Sequence, residues 1–433
     1  MISVARLNAK LKNVYYGWWI VVGAILIQTL QIGLLGQGYS VYIPALQAEF
    51  GWSTTLLAGA FSVLQAVSGL LGPVQGWLLI RFGPRALMRA GMVLFGLAFL
   101  AFSQVTSLAA FFTAFILMAV GYSLGGFLSL TTTVVNWFER RRSSALALMQ
   151  LGVSLGGLAL PLIAWSLTAL GWRNTSFLSG LIILLVGVPL TQLMRESPDD
   201  ATHKSKDKSQ DADAASRRQS PATAALGAQK QAVDQRTLKV ARREFTVQEA
   251  LRTRTFWLLG FGHALALLIV SAVNVHAVLH LSAGLGYSLP AAAGFVSLMT
   301  AFTVLGQLVG GVLGDRYPKR LLAMMAMWVH AAALLALTYA TSTVMVVLFA
   351  AGHGLAWGTR GPLMQAIRAD YFGRKAFATI MGYSFLIAML GTMGGPLIAG
   401  AFADAFGNYR VGFTILAGMA ACGSVFFLLA REP

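Results

Sequence analysis

Charged residues are scarce in this chain. They make up 11% of its 433 residues, where a soluble domain carries about 25%, and that scarcity excludes an ordinary water-soluble globule. Cysteine is nearly absent. The single Cys422 permits no intramolecular disulfide and no thiolate metal cluster. Acidic side chains are missing from every long apolar block: all 15 map to loops, tails or the central segment. No phosphate-cradling loop, metal cluster or nucleophile–base constellation occurs, which argues against an ATP-driven pump and against an enzyme. No cofactor is expected.

What is present is apolar length. Hydrophobic residues are 57% of the chain and the mean hydropathy is +0.70. The blocks exceed the roughly 20 residues that cross a bilayer, and a dozen of them in one chain need lipid as solvent. Expected spans, numbered 1 to 12, are about 16–44, 54–79, 86–103, 109–136, 144–169, 174–194, 255–281, 290–313, 321–340, 344–367, 376–402 and 411–430. The first, preceded by Arg6, Lys10 and Lys12, is too long for a cleaved signal segment. The expected fold is an all-α membrane protein, twelve transmembrane helices as two six-helix repeats.

The net charge of +17 suggests nucleic acid only until its placement is considered. Arg and Lys alternate from loop to loop: 29 of 32 lie in the N-terminal tail, in every second loop (Arg368, Arg374 and Lys375 among them), in the segment 195–254 and at Arg431. Only Arg173 and Arg410 lie on the other side. The positive-inside rule then puts both termini in the cytoplasm, with the plasma membrane, a bacterial inner membrane, as the expected location. The partners implied are the lipid bilayer and a small molecule, not nucleic acid.

Residues 195–254 are rich in Lys, Asp, Ser, Gln and Ala and poor in large apolar side chains, as a solvated basic linker would be. Its end, FTVQEALRTRTFW, reads either as a short helix on the membrane surface or as the start of span 7. The chain thus divides into a six-helix bundle over 1–194, the linker, and a second bundle over 255–433. The two bundles repeat each other. Gly76-WLLI-Arg81-FGP-Arg85 answers Gly311-VLG-Asp315-Arg316-YPK-Arg320 at an offset of 235, and Asn136-WFERRRSSA answers Asp370-YFGRKAFA at 234. GWRNTSF at 171–177 answers NYRVGF at 408–413, and RESP answers REP.

The Gly-xxx-Asp-Arg pattern between second and third helices of each half, within a six-plus-six layout, resembles the major facilitator superfamily. YYGWWIV, EALRTRTFW and RADYFGRKAFATIMG resemble its bacterial oxalate/formate-antiporter and monocarboxylate-transporter-like branch. The resemblance implies alternating access about a cavity lined mainly by helices 1, 4, 7 and 10, a monomeric carrier, and a gate formed by Arg81, Arg85, Asp315, Arg316 and Arg320. Two departures matter. Ile80 stands where the family usually has an aspartate, so the gate contacts should be weaker on that side. Span 8 carries Thr300, Thr303 and Gln307 rather than a cation, and span 11 has no lysine, so a substrate cannot simply be inherited.

Among basic residues only Arg360 falls in an expected membrane core, near the midplane. A bilayer-centre arginine costs at least about 2.5–3.5 kcal/mol on insertion scales, and no intramembrane carboxylate is available to pair with it. An incoming anion would complement its planar fork of donors; the alternative is that it binds helix-end carbonyls around Gly358–Pro362. His353, Trp357 and Arg360 share a helix face by spacing. Gln28, Gln31 and Tyr39 of span 1, Tyr122 of span 4, Asn274 of span 7 and Tyr383 of span 11 are further substrate-site candidates, each with interhelical bonding or packing as the alternative. His263 and His353 are candidates for proton coupling. The expected function is secondary or facilitative transport of a small organic anion, a carboxylate. The alternatives are efflux of drugs or apolar metabolites, and a membrane sensor that does not translocate.

Overall fold

The computed structural model describes residues 15–52, 54–195 and 244–433. Arg6, Lys10, Lys12 and nearly all of the expected linker lie outside the described residues. Those described are helical, with no strand among them. In the first half α1 (Tyr16–Gln31) passes through a π turn, Ile32–Gly36, into α2 (Tyr39–Phe50). Then follow α3 (Thr54–Phe82), α4 (Pro84–Phe102), α5 (Leu108–Gly125), α6 (Phe127–Trp137), α7 (Arg142–Leu158) and α8 (Leu160–Ile182). In the second half come a short α9 (Val247–Arg252), α10 (Arg254–Leu279), α11 (Leu289–Arg316), α12 (Lys319–Thr338), α13 (Thr343–Phe372), α14 (Phe377–Phe406) and α15 (Arg410–Leu429).

Local chemistry fixes these boundaries. Gly83 takes φ 75° ahead of Pro84, which opens α4 where its missing N–H costs nothing. Ser107 accepts from the Ala110 amide and caps α5. Thr246 and Glu249 form a capping box that starts α9, and Thr253 caps α10 one residue after α9 ends. The segment before the seventh pass is therefore a separate helical turn, pinned by the Trp257 indole donating to the Leu251 carbonyl. Gly171 (φ 78°) breaks α8, so that its two parts complete the fifth pass and begin the sixth.

Ten helices are long and apolar enough to cross a membrane among the described residues. The other two passes fail those criteria for physical reasons: the fifth is interrupted at Ala159 and turned at Gly171, and the tenth, α13, carries buried polar groups. Leu70, Leu158, Leu185, Val344 and Leu397 turn outward, exposed, as side chains facing hydrocarbon do. The interior apolar side chains form two clusters, one within residues 20–194 joined by Ala366, Ala369, Phe377, Ala378 and Met381, the other within 245–430.

The first and last described residues, Tyr15 and Pro433, lie at one end of the molecule. The Tyr15 hydroxyl donates to the carbonyl of Trp137, which ends α6; Thr255 and Tyr371 donate to the Arg431 and Ala430 carbonyls. At this end the two halves are joined. Asp315, in the last turn of α11, accepts from the Ser143 amide (2.9 Å), the Ser144 amide (3.1 Å) and the Ser144 hydroxyl (2.6 Å) in the first turn of α7. Arg142 is ion-paired with Asp370, whose other oxygen meets Lys319 Nζ at 2.7 Å. Arg374 donates to the Asn136 carbonyl, and the Gln150 amide to the Gln365 side-chain oxygen at 3.0 Å. Gly72 of α3 and Gly382 of α14 bring their backbones so close that a Cβ on Gly382 would strike the Gly72 carbonyl.

Candidate functional site

α13 organises the second half. Gly354 and Gly358 lie against the Met299 and Thr303 carbonyls of α11, which leaves His353 and Arg360 on another face. There the His353 and His330 rings meet edge to face, with the two Nδ1 atoms 3.3 Å apart. One nitrogen must carry the shared proton, and both Nε2 atoms are buried without a partner. Arg360 is 1% exposed, and its Nε and Nη1 have no hydrogen-bond partner. His263, His330, His353 and Arg368 lie within electrostatic reach of it. A guanidinium with unmet donors among groups of its own sign, or neutral, is a costly arrangement.

Arg368 corrects the sequence reading, which placed it in a loop with Arg374 and Lys375. α13 runs on to Phe372, and Arg368 is fully buried. It donates to the Ser384 hydroxyl (3.0 Å), the Met364 carbonyl (2.7 Å) and the Leu259 carbonyl (3.2 Å), tying α13 to α14 and α10. Arg360 is therefore not the only buried arginine. The two differ in kind: Arg368 is satisfied by the fold and Arg360 is not.

A cavity of about 300 Å³ lies between the halves. The first half contributes Gln65, Ser68, Gln75, Tyr122 and Phe127; the second contributes Leu267, Phe385, Met389 and Thr392. Phe127 and Phe385 touch across it, 6.0 Å between centroids. Beside it the fourth pass is broken between α5 and α6 at Gly126 (φ −103°, ψ −138°). Side-chain amides occupy the carbonyls that the break releases: Gln31 donates to Tyr122 O, and Gln75 to Ser123 O and the Ser129 hydroxyl. Broken helices at membrane depth are tolerated where neighbours re-satisfy the backbone.

The site candidates therefore separate. Arg360, His353 and His263 gather in the interior of the second half, with His330 added by the structure. Tyr122 lines the cavity, and Gln31 bonds to its backbone. Tyr39 is buried, donating to Leu57 O at 2.8 Å, and Gln28 is buried with an unpartnered Oε1. Trp357 and Tyr383 are half-buried, and Asn274 is exposed. Arg360 is not among the residues lining the cavity. Of the expected gate, Asp315 bridges the halves. Arg81 lies over Trp77 and Phe82 of its own helix, Arg320 donates to Leu428 O in its own half, Arg316 is exposed, and the Arg85 Nε is buried without a partner. The roles of Arg142, Asp370 and Arg374 in bridging the halves, and of Lys319 beside Asp370, were missed, as were His330, Gln65, Ser68 and Gln75. An imidazole or amide inside an apolar run was the available signal for three of these, His330, Gln65 and Gln75.

Two six-helix halves, joined at one end around a central cavity, define a membrane carrier rather than an enzyme. The sequence model of the Major Facilitator Superfamily matches residues 25–359 and 259–433, and the chain belongs to that superfamily of transporters. It is 24% identical over 421 residues to monocarboxylate transporter 13 of Bos taurus, covering 94% of this chain and 88% of that one. It is 25% identical over 429 residues to the 3-(3-hydroxy-phenyl)propionate transporter of Escherichia coli (strain K12), covering 95% and 94%. Among solved structures, the proton:xylose symporter XylE bound to 6-bromo-6-deoxy-D-glucose aligns with a TM-score of 0.71 at 16% identity, covering 96% of each chain. These matches agree with a transporter in the monocarboxylate-transporter-like branch.

Proposed function

We propose that this transporter moves a small organic anion, a carboxylate, by alternating access, with Arg360 as the anchor of the charged group. The observation that supports this is the guanidinium of Arg360, buried with two nitrogens unpartnered. A carboxylate supplies the missing acceptors and the missing charge together, in the bidentate geometry that arginine favours. Both relatives named above carry carboxylates in their names. Arg360 lies 12 residues from the end of α13, about 18 Å deep. It is shielded from the cavity in this state and is reached as the second half's helices part. His353, paired with His330, and His263 are the groups able to exchange a proton beside the anchor. Trp357 and Tyr383 of the second half and Tyr122 of the first orient the solute. The carrier works as a monomer in a bacterial inner membrane with both termini cytoplasmic, so the closed end faces the cytoplasm. The units that rock are residues 1–194 and 255–433, joined by the linker 195–254.

The test is ligand-induced thermal stabilisation of the purified protein and its Arg360→Gln variant, across carboxylates, inorganic anions, sugars, amines and apolar drugs. A ligand that binds only the folded form raises its stability by mass action. The expected result is stabilisation by carboxylates that the variant loses. The uncharged lining of the cavity favours one second reading, efflux of apolar compounds. That reading gains if both proteins respond alike or only to apolar cations.

A further inference from the structure

A second cavity, of about 440 Å³, lies at the closed end, apart from the one in the middle of the molecule. Part of its wall is aromatic. Tyr15 and Trp18, at the start of α1, meet Phe138 edge to face at 5.7 and 4.9 Å between centroids, and Trp137 lies 5.8 Å from Tyr15. Its charges come from both halves. Arg140 and Arg141 stand between α6 and α7, and Arg374 enters from the second half, donating to the Asn136 carbonyl at 3.2 Å. Arg374 is held in place from behind, because the Glu244 carboxylate accepts from its backbone amide and from that of Lys375, both at 2.9 Å. Among the described residues Arg140 and Arg141 have no side-chain hydrogen bond or ion pair, and Glu139, the one carboxylate in the wall, pairs with neither. The positive-inside rule accounts for basic residues on this side of the membrane. It does not account for three of them gathered from two halves around one aromatic hollow, where like charges repel unless a counter-ion stands among them.

We infer that this cavity binds a phosphate monoester, and that the bound phosphate holds the closed end shut. Three guanidinium groups against one carboxylate leave two positive charges in the wall. A phosphate monoester carries about −1.5 to −2 at neutral pH and offers three acceptor oxygens to the planar donor forks of arginine. A carboxylate or a phosphate diester brings a single charge and leaves the other unmatched. The rings beside the arginines keep water away, which strengthens the attraction, and they give an apolar or aromatic ester group a surface to lie on. The volume falls within the range of ligand pockets, about 300 to 1,000 Å³. This site is not part of the transport route. It is complete only while Arg374 stands beside Arg140 and Arg141, so parting of the halves at this end dismantles it. By reciprocity, a ligand that needs the closed end also favours it. The phosphate can belong to a soluble metabolite or to the headgroup of a monoester lipid, and neither depends on what the central site carries.

The experiment measures thermal stabilisation of the purified full chain in phosphatidylcholine nanodiscs. The soluble probes are inorganic phosphate, phenyl phosphate and the methyl diester of phenyl phosphate. The lipid probes are discs containing phosphatidic acid, a monoester, or phosphatidylglycerol, a diester. The expected result is stabilisation by monoesters above the matching diesters. A response to phenyl phosphate identifies a soluble ligand, and a response confined to phosphatidic acid identifies a lipid one. Arg140→Gln/Arg141→Gln and Arg374→Gln should each weaken the response, up to about 5-fold in affinity per arginine, the range of exposed charge pairs. All three arginines are exposed, and an unchanged melting temperature of the unliganded double variant separates lost binding from lost folding. Asp315→Asn, which loosens the same end from outside the cavity, should weaken the response too. No stabilisation by any monoester, diesters binding as tightly as monoesters, or a response undiminished in the arginine variants overturns the phosphate site. A response undiminished in Asp315→Asn overturns its link to the closed end.

Discussion

Asp315 is a carboxylate of one half bonded to three donors of the other, and its neutralisation gives the most direct test of how the closed end is held. In Asp315→Asn the side chain keeps its size, and its one oxygen can take the place of Oδ2 and keep the bonds from Ser144 N and Ser144 Oγ, with the amide NH2 left facing Ser143 N. It loses the Ser143 bond and the charge that faces the positive end of α7. Bonds to charged groups contribute about 1.5–3 kcal/mol each. Asp315 is only half-buried, so we take about 1 kcal/mol for the lost bond and about 1 kcal/mol for the charge at the helix end, about 2 kcal/mol in all. At 1.4 kcal/mol per decade, the ratio of closed to open at this end falls roughly 30-fold. Electron–electron distance measurements between spin labels at Glu139→Cys and Arg316→Cys, both exposed, read that ratio in a Cys422→Ser background. The long-distance population should grow by that order in Asp315→Asn. An unchanged distance distribution would refute the argument, because it would mean that the close helix contacts of α3 and α14 hold this end without the carboxylate.

Other consequences can be measured on the same protein. Arg360→Met removes unmet buried donors and should leave the melting temperature unchanged or raise it while abolishing carboxylate binding; Arg368→Met breaks three bonds and should lower it by several degrees. A higher cost for Arg360→Met than for Arg368→Met would reverse their assigned roles. Gly382→Val should drive the halves apart at the closed end, because its side chain has no room beside Gly72, and the same spin labels should report it. A double-mutant cycle on Gln150→Ala and Gln365→Ala should show a coupling of about 0.5–1.5 kcal/mol in the closed state; additivity would mean that the bond is replaced by water.

The passes and the repeat were readable because lipid imposes a composition on every helix that crosses it, and because loop arginines mark one side. Arg360 was readable for the same reason, as a charge inside an apolar run. Arg368 was not, since a helix end near Asp370 looks like the start of a basic loop. Only the carbonyl of Leu259 and the hydroxyl of Ser384, 109 and 16 positions away respectively, reveal where it points. His330 lay in plain view within AMWVHAAALL, yet its meaning comes from His353 on another helix. The separation of Arg360 from the cavity lining is a matter of helix rotation, and 3.6-residue spacing fixes which residues share a face without fixing which neighbour that face meets.

The joint at Asp315 is divided unequally between side chain and main chain. One partner is a carboxylate that many single substitutions would remove. The other partners are chiefly two peptide amides, which every amino acid except proline provides. Chance variation can therefore erase this fastening readily at position 315, while at 143 and 144 the amide survives any exchange among small residues that fits the close approach of Gly311 and Gly314. Sequences that keep the joint should hold one residue type at 315 and several small ones opposite it.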